Sequence, residues 1–62
     1  MNENILKKLR EEHMLSQEEL AMKTGVQRAT ISMIERGVNK PSVHLAKKLG
    51  LVLGCEWTVF YD

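Results

Sequence analysis

The stretch GVQRATISMIERG, residues 25–37, combines side chains that could form a binding surface on a short helix. At 100° per residue, Ile31 and Ile34 share one side of that helix. The other side is small and basic and contains one methionine: Arg28, Ala29, Ser32, Met33 and Arg36. A helix this short is marginally stable alone, so we expect its apolar side to pack on the protein while the other side contacts a partner.

Charge is unevenly distributed along the chain, although the formal net charge of its 62 residues is only +1. Residues 20–48 carry six basic side chains, and Glu35 is the only acidic residue among them. The segments before and after are net acidic. A basic middle between acidic ends can give a positive surface on one side, which favours a polyanionic partner. An ordinary solvated surface is the alternative interpretation.

Apolar residues recur at helical spacing almost throughout, so we predict an all-α fold. A first helix is predicted at about 3–13, and a second at about 17–23. The second opens with the capping box SQEE at 16–19. The residues of these two helices that should face inward are Ile5, Leu6, Leu9, Leu20 and Ala21.

The third helix is predicted at about 28–36, between a tight turn at Gly25 and a terminating glycine at Gly37. A fourth helix is predicted at about 43–53. It would end at Gly54 rather than at Gly50, the alternative, because the apolar periodicity continues. Its shared apolar face should contain Val43, Ala46, Leu49, Gly50 and Leu53. A glycine inside a helix costs about 1 kcal/mol relative to alanine, so we expect close packing at Gly50.

The segment EWTVF, residues 56–60, predicts a fifth helix of a single turn with Trp57 and Phe60 facing inward, although WTVFY alone has strand-like composition. Such a short helix cannot turn all of its apolar side chains inward, and exposed apolar surface in a small protein often marks an interface. We therefore predict that the C-terminal part forms a homodimer. The predicted interface consists of Leu51, Trp57, Val59, Phe60 and Tyr61. The alternative is that Trp57 and Phe60 only fill the core.

Two short helices joined by a glycine turn, the second with a polar outer side, are typical of a DNA-binding helix-turn-helix. Over LSQEELAMKTGVQRATISMIERGVNKPS the sequence resembles the Cro and phage-repressor type of helix-turn-helix, the XRE family. The residues that carry the resemblance are Gln17, Leu20, Ala21, Gly25, Val26, Ile31, Ser32, Glu35, Gly37 and Pro41. The resemblance implies one compact, five-helix, lambda-repressor-like DNA-binding domain over residues 1–62.

The same resemblance implies how individual residues act. The third helix would lie in the major groove, with Gln17 on a phosphate and Arg28 facing base edges. The whole predicted DNA-binding set is Gln17, Gln27, Arg28, Ala29, Thr30, Ser32, Met33, Arg36 and Lys40. Arg10 and Glu35 occupy positions that form an internal ion pair in some members. The sequence departs from the family at Gln27, where a Ser or Thr cap is usual, and at Met14, where many members have glycine.

Other kinds of chemistry find little support. His13, His44 and Cys55 lack the spacing of a zinc site, and no phosphate-binding loop or nucleophile elbow occurs. We therefore expect no enzymatic activity and no cofactor. A single cysteine fits a reducing cytoplasm, and no apolar run approaches the roughly 18 residues of a membrane span. The predicted location is cytoplasmic.

The predicted function is that of a DNA-binding transcriptional regulator, with repression favoured, which acts as a homodimer on a near-palindromic operator. One alternative is the antitoxin of a toxin–antitoxin pair whose DNA binding serves autoregulation. Another is an excision or architectural factor of a mobile element such as a prophage. A toxin or an anti-repressor would then be a protein partner. The genes beside this one would discriminate between these alternatives.

Overall fold

The computed structural model describes residues 4–61, and over this range it is all-helical, without a strand. Its elements are α1 (Ile5–Glu12), α2 (Gln17–Thr24), α3 (Arg28–Glu35), α4 (Val43–Leu53) and a 3₁₀ helix (Trp57–Tyr61). The prediction of an all-α fold is confirmed. The count of five helices is not confirmed, because there are four α-helices and the last element has the tighter 3₁₀ winding that is common in pieces this short.

Helix α1 ends one residue earlier than predicted. Glu3, the predicted start, lies outside the described residues. The helix begins at Ile5 because the side-chain oxygen of Asn4 accepts the amides of Leu6 and Lys7. It ends before His13, and Met14 follows with a φ of 57°. This left-handed conformation, rare for residues other than glycine, turns the chain away from the helix axis.

The predicted capping box at the start of α2 is confirmed. The Ser16 hydroxyl accepts the Glu19 amide at 3.0 Å, and the Ser16 amide donates to Glu19 Oε1 at 2.8 Å. The helix continues one residue beyond the prediction, to Thr24, whose buried hydroxyl donates to the Leu20 carbonyl. Gly25 then adopts a left-handed φ of 73°. That conformation ends α2 and allows α3 to begin three residues later.

Helix α4 has the predicted bounds and ends at Gly54 with a φ of 68°, so the alternative end at Gly50 is wrong. Gly50 lies inside the helix where the returning chain crosses it. A β-carbon at this position would be 2.7 Å from the Cys55 carbonyl oxygen and 3.2 Å from the Trp57 amide nitrogen. The close packing expected at Gly50 is therefore confirmed.

The core is formed by side chains from every helix: Leu6, Leu20, Ala21, Ile31, Ile34, Leu45, Ala46, Leu49, Leu53 and Phe60. Two residues that we predicted to face inward are exposed. Val43 is 50% exposed and Ile5 is 39% exposed. Each is the first residue of its helix, where fewer neighbouring side chains surround it. The packed core fixes the inner sides of α2 and α3 and leaves their other sides open.

Candidate nucleic-acid interface

The α2–turn–α3 unit is held together by its inner surface. Ala21 is almost fully buried, so its small side chain lets the two helices approach closely. The Val26 amide donates to the Ala21 carbonyl at 3.0 Å, which fixes the turn. Ile31 and Ile34 are buried and anchor α3 to the core. The outer side of α3 is therefore presented on a rigid support.

The predicted DNA-binding residues differ in accessibility. Five of them are exposed: Gln27, Arg28, Ala29, Arg36 and Lys40. Four are half-buried: Gln17, Thr30, Ser32 and Met33. The exposed residues at the start of α3 give this end of the helix the greater access to a large partner.

Two features of α3, a missing cap and one side-chain contact, change the expectations for single residues. Gln27 is the N-cap of α3, but its side chain makes no capping hydrogen bond, which leaves amides in the first turn without a side-chain partner. Met33 is partly covered, since the Asn39 amide donates to its sulfur at 3.6 Å. This weak contact ties Met33 to the loop after α3 and restricts its approach to a partner.

An ion pair joins α1 to the last residue of α3. Arg10 Nε is 2.6 Å from Glu35 Oε2, and Arg10 Nη2 donates to Glu35 Oε1 at 3.2 Å. The side chains are only 11% and 4% exposed. Arg10 Nη1 also donates to the Leu15 carbonyl at 2.7 Å. The hydrogen bond to Glu35 raises the pKa of Arg10. The structure thus brings together the two residues for which an ion pair was predicted. This ion pair links α1 to α3.

The side chain of Gln17 extends this pair toward the outer side of α3. Its Nε2 donates to Glu35 Oε1 at 3.0 Å, and its Oε1 accepts Arg28 Nε at 3.3 Å. An ionised carboxylate can only accept hydrogen bonds, so Glu35 holds the amide with its oxygen toward Arg28. One N–H of Gln17 and both terminal amino groups of Arg28 make no hydrogen bond within this chain of contacts. They are oriented donors for an anionic oxygen or a base edge.

Sequence reasoning identified all four of these residues but not the two contacts that Gln17 makes, with Glu35 and with Arg28. The resemblance paired Arg10 with Glu35 and placed Gln17 and Arg28 separately on DNA. The four residues belong to three different helices, and only the folded structure shows that they are consecutive. The presence of charged and amide side chains at 10, 17, 28 and 35 was the one available signal.

The basic residues of the middle segment do not all lie with α3. Lys47 Nζ is 5.6 Å from the centre of the Trp57 ring, a cation–π contact. Lys23 and Lys48 line a concavity between α2 and α4. The positive surface predicted for one side is therefore divided, and Arg28, Arg36 and Lys40 are the basic residues on or directly after α3.

The predicted dimer residues lie at two separate places. Leu51 is 85% exposed and lines one concavity with Trp57. Val59 is half-buried and lines another concavity, together with Ile5 and Pro41. The five residues thus do not form a single patch.

The assignment of Phe60 to the interface needs correction, because Phe60 is only 8% exposed and belongs to the core. The 3₁₀ winding of its segment turns this ring inward while Trp57, Val59 and Tyr61 stay half-buried. Trp57 and Tyr61 pack edge to face with ring centres 5.8 Å apart. The Tyr61 hydroxyl donates to the Pro41 carbonyl, which ties the 3₁₀ helix to the loop before α4.

Other chemistry has little basis in the part of the chain that is described. Within residues 4–61, no three His, Cys, Asp or Glu side chains gather so that they could hold a metal ion. Cys55 is half-buried, and burial raises the pKa of its thiol, which favours the less reactive protonated form. None of the helices described above is long and apolar enough to cross a membrane.

The comparison with known families agrees with this geometry. A family model described as Helix-turn-helix matches residues 6–60, which include all four α-helices except the first residue of α1.

Relatives occur in bacteria and archaea. The chain is 47% identical over 57 residues to the uncharacterized HTH-type transcriptional regulator YqaF of Bacillus subtilis, covering 92% of this chain and 75% of that protein. It is 48% identical over 53 residues to the uncharacterized HTH-type transcriptional regulator MJ0272 of Methanocaldococcus jannaschii, covering 86% and 80%. An uncharacterized HTH-type transcriptional regulator of Archaeoglobus fulgidus is 43% identical over 51 residues, covering 82% and 73%.

Proposed function

The chain belongs to the helix-turn-helix family, and from this premise we propose that it is a sequence-specific regulator of transcription that binds double-stranded DNA. Helix α3 lies in the major groove, where each base pair presents a different pattern of donors and acceptors. The proposed mode of regulation is repression, since a bound domain excludes other proteins from the same DNA. The proposed location is the cytoplasm.

The observation that carries this proposal is the set of hydrogen bonds from Glu35 through Gln17 to Arg28. The Nε of Arg28 is held by Gln17, which leaves its two terminal amino groups for guanine O6 and N7. Gln17 has one remaining N–H for a phosphate oxygen. A base-reading side chain and a phosphate-binding side chain are thus held together before DNA arrives, which reduces the entropy lost on binding.

The other residues of the outer side supply weaker contacts. Ala29 and Met33 are suited to a thymine methyl group, and the hydroxyl of Ser32 can donate or accept. Arg36 and Lys40, at and after the C-terminal end of α3, are suited to phosphates, which fix the register of the protein on the duplex. Gln27 and Thr30 complete the proposed set.

The proposal includes a homodimer on a near-palindromic operator. A two-fold dimer would present two copies of α3 about 34 Å apart, which is one turn of DNA. The exposed Leu51 beside Trp57 is the strongest candidate for the contact, because an apolar side chain that is 85% exposed gains little in a monomer.

The experiment that tests the proposal begins with selection of bound sequences from a random pool of double-stranded DNA. On the selected site, Arg28→Ala should cost about 1–3 kcal/mol of binding free energy and relax the preference at one base pair. Gln17→Ala should weaken binding to selected and scrambled DNA more evenly. It should also relax specificity slightly, since it removes the acceptor that holds Arg28.

Binding of each variant is measured on both DNAs at one fixed salt concentration, because phosphate contacts make affinity salt-dependent. Lys8→Ala is the matched control, since it removes an exposed positive charge on α1 rather than on α3 or beside the proposed dimer contact. Absence of any enriched sequence would contradict sequence-specific binding. Equal losses on both DNAs for Arg28→Ala would contradict its role as a base reader.

A further inference from the structure

A second exposed surface lies between α2 and α4. Met22 is 75% exposed and Leu51 is 85% exposed, and both line one shallow concavity of about 420 Å³. Val52 is half-buried and lines this concavity as well as a neighbouring one that contains Leu15. The apolar side chains thus form a continuous strip that the described residues of the chain do not cover.

The charged residues that line the two concavities of this strip are basic, whereas Glu56 lines a third concavity that Leu51 also borders. Lys23 and Lys48 line the concavity beside the apolar residues, and Lys23 also lines the neighbouring one. The residues that line these two concavities include no Asp or Glu from the described part of the chain. We call Met22, Lys23, Lys48, Leu51 and Val52 the α2–α4 surface.

We propose that the α2–α4 surface binds an acidic amphipathic segment of another protein. An apolar strip beside lysines matches a helix that carries leucine-like residues on one side and carboxylates along its edges, the helix-in-groove mode of recognition. The lysines would steer such a segment and select against basic ones. None of these five residues belongs to the proposed DNA-binding set, and only Leu51 is shared with the proposed dimer contact.

Two other occupants fit the surface less well. DNA would leave Met22 and Leu51 facing phosphates and sugars, where they form no hydrogen bond, although the lysines could bind phosphate. A second copy of the chain, docked with the same surface across a two-fold axis, would bring lysines toward lysines, which is repulsive. An acidic amphipathic partner would cover the apolar residues and pair its carboxylates with the lysines.

The test uses the full chain, labelled with nitrogen-15, and a synthetic helical peptide of about 16 residues with leucines on one side and glutamates on the other. A second peptide of the same pattern has lysine in place of each glutamate. The glutamate peptide should shift the amide signals of the α2–α4 surface and bind at least about tenfold more tightly than the lysine peptide. Weak, reversible binding is expected, since the contact is at the small end of protein interfaces.

Variants then locate the contact. Met22→Glu and Lys23→Glu should each weaken binding of the glutamate peptide about tenfold, because they introduce like charge into the contact. Val38→Glu is the matched control, since Val38 is also an exposed apolar residue, at 61%, but lies in the loop after α3. This variant should bind the peptide as the wild type does. Folding of each variant is checked by its amide spectrum.

Several results would overturn the proposal. One is equal affinity for the two peptides, and another is unchanged binding in Met22→Glu. Signal shifts centred on Trp57 and Tyr61 would move the docking site to the 3₁₀ helix. A protein that ignores the glutamate peptide but loses duplex DNA binding in Lys23→Glu would assign these lysines to DNA.

Discussion

The buried ion pair of Arg10 and Glu35 joins α1 to α3. Removal of one partner would leave a charge that is almost shielded from water and has no counterion, which typically costs about 3–5 kcal/mol. Replacement of both partners by apolar residues of similar size costs much less. We therefore predict that Arg10→Met and Glu35→Leu each destabilise strongly, whereas the double variant recovers much of the loss.

The measurement is a double-mutant cycle of unfolding free energies in urea, with Lys8→Met as the control for an exposed basic residue on the same helix. The control should change the free energy of unfolding by about 0.5 kcal/mol or less. A coupling energy between Arg10 and Glu35 that equals zero within error would show that the pair contributes no net stabilisation.

Residue-level reasoning from the sequence succeeded where the determinant is local. The Ser16–Glu19 box and the stop of α4 at Gly54 depend on a few neighbours along the chain, and both were predicted correctly. The inward position of Phe60 and the contact of Gln17 with Arg28 depend on how separate helices pack. Periodicity carries no information about that packing, so Phe60 was assigned to the interface with the core only as the alternative, and the contact of Gln17 with Arg28 was missed.

At the scale of single helices, α4 depends on close contact with the chain that follows it. A β-carbon at Gly50 would collide with backbone atoms of Cys55 and Trp57, which cannot rotate away as a side chain would. We predict that Gly50→Ala costs about 1–3 kcal/mol by overpacking, despite the better helix propensity of alanine. Thermal unfolding, monitored by circular dichroism, measures this cost.

Gly37→Ala is the comparison for Gly50→Ala. At Gly37 a β-carbon would have no atom within 4 Å, so only the left-handed φ of 79° opposes it. The expected cost is about 1 kcal/mol. A Gly50→Ala variant as stable as the wild type would mean that the 3₁₀ segment moves away from α4 at little cost.

The start of α2 should respond to pH through Glu19. Its hydrogen bond from the Ser16 amide lowers the pKa of Glu19 below the ordinary value of 4.5. The ionised form therefore stabilises the fold at pH values above 4.5, and this contribution disappears as the pH falls through the lower, folded-state pKa. We predict that Glu19→Gln is less stable than the wild type at pH 7 and that the difference narrows by pH 3.

Melting temperatures of both proteins between pH 7 and pH 3 measure this effect. Glu18→Gln is the control, because Glu18 is an exposed carboxylate in the same helical turn but makes no capping contact. The difference in melting temperature between Glu18→Gln and the wild type should depend less on pH. A wild-type advantage over Glu19→Gln that persists unchanged at pH 3 would show that the carboxylate charge is not what stabilises the cap.

At the scale of the whole molecule, Leu51 connects the two proposed protein contacts. It lines the concavity that contains Trp57 and also the one that contains Met22. A homodimer that buries Leu51 would therefore compete with an acidic partner at the α2–α4 surface. Since a dimer reads two half-sites and a monomer reads one, such a partner would weaken operator binding without contact with DNA.

Formation of the homodimer can be measured directly. We predict that the molar mass from light scattering rises from monomer toward dimer as the concentration passes through about 10 μM, in the range expected of a small interface. Leu51→Lys should keep the protein monomeric, because it places a charge in an apolar contact. Val59→Lys tests the separate concavity near Ile5. Val43→Lys is the control on α4, where the native side chain is 50% exposed.

A loss of dimer in Val59→Lys alone would move the interface away from Leu51. A wild-type protein that stays monomeric at high concentration and binds a DNA half-site as tightly as a full site would contradict the dimer altogether.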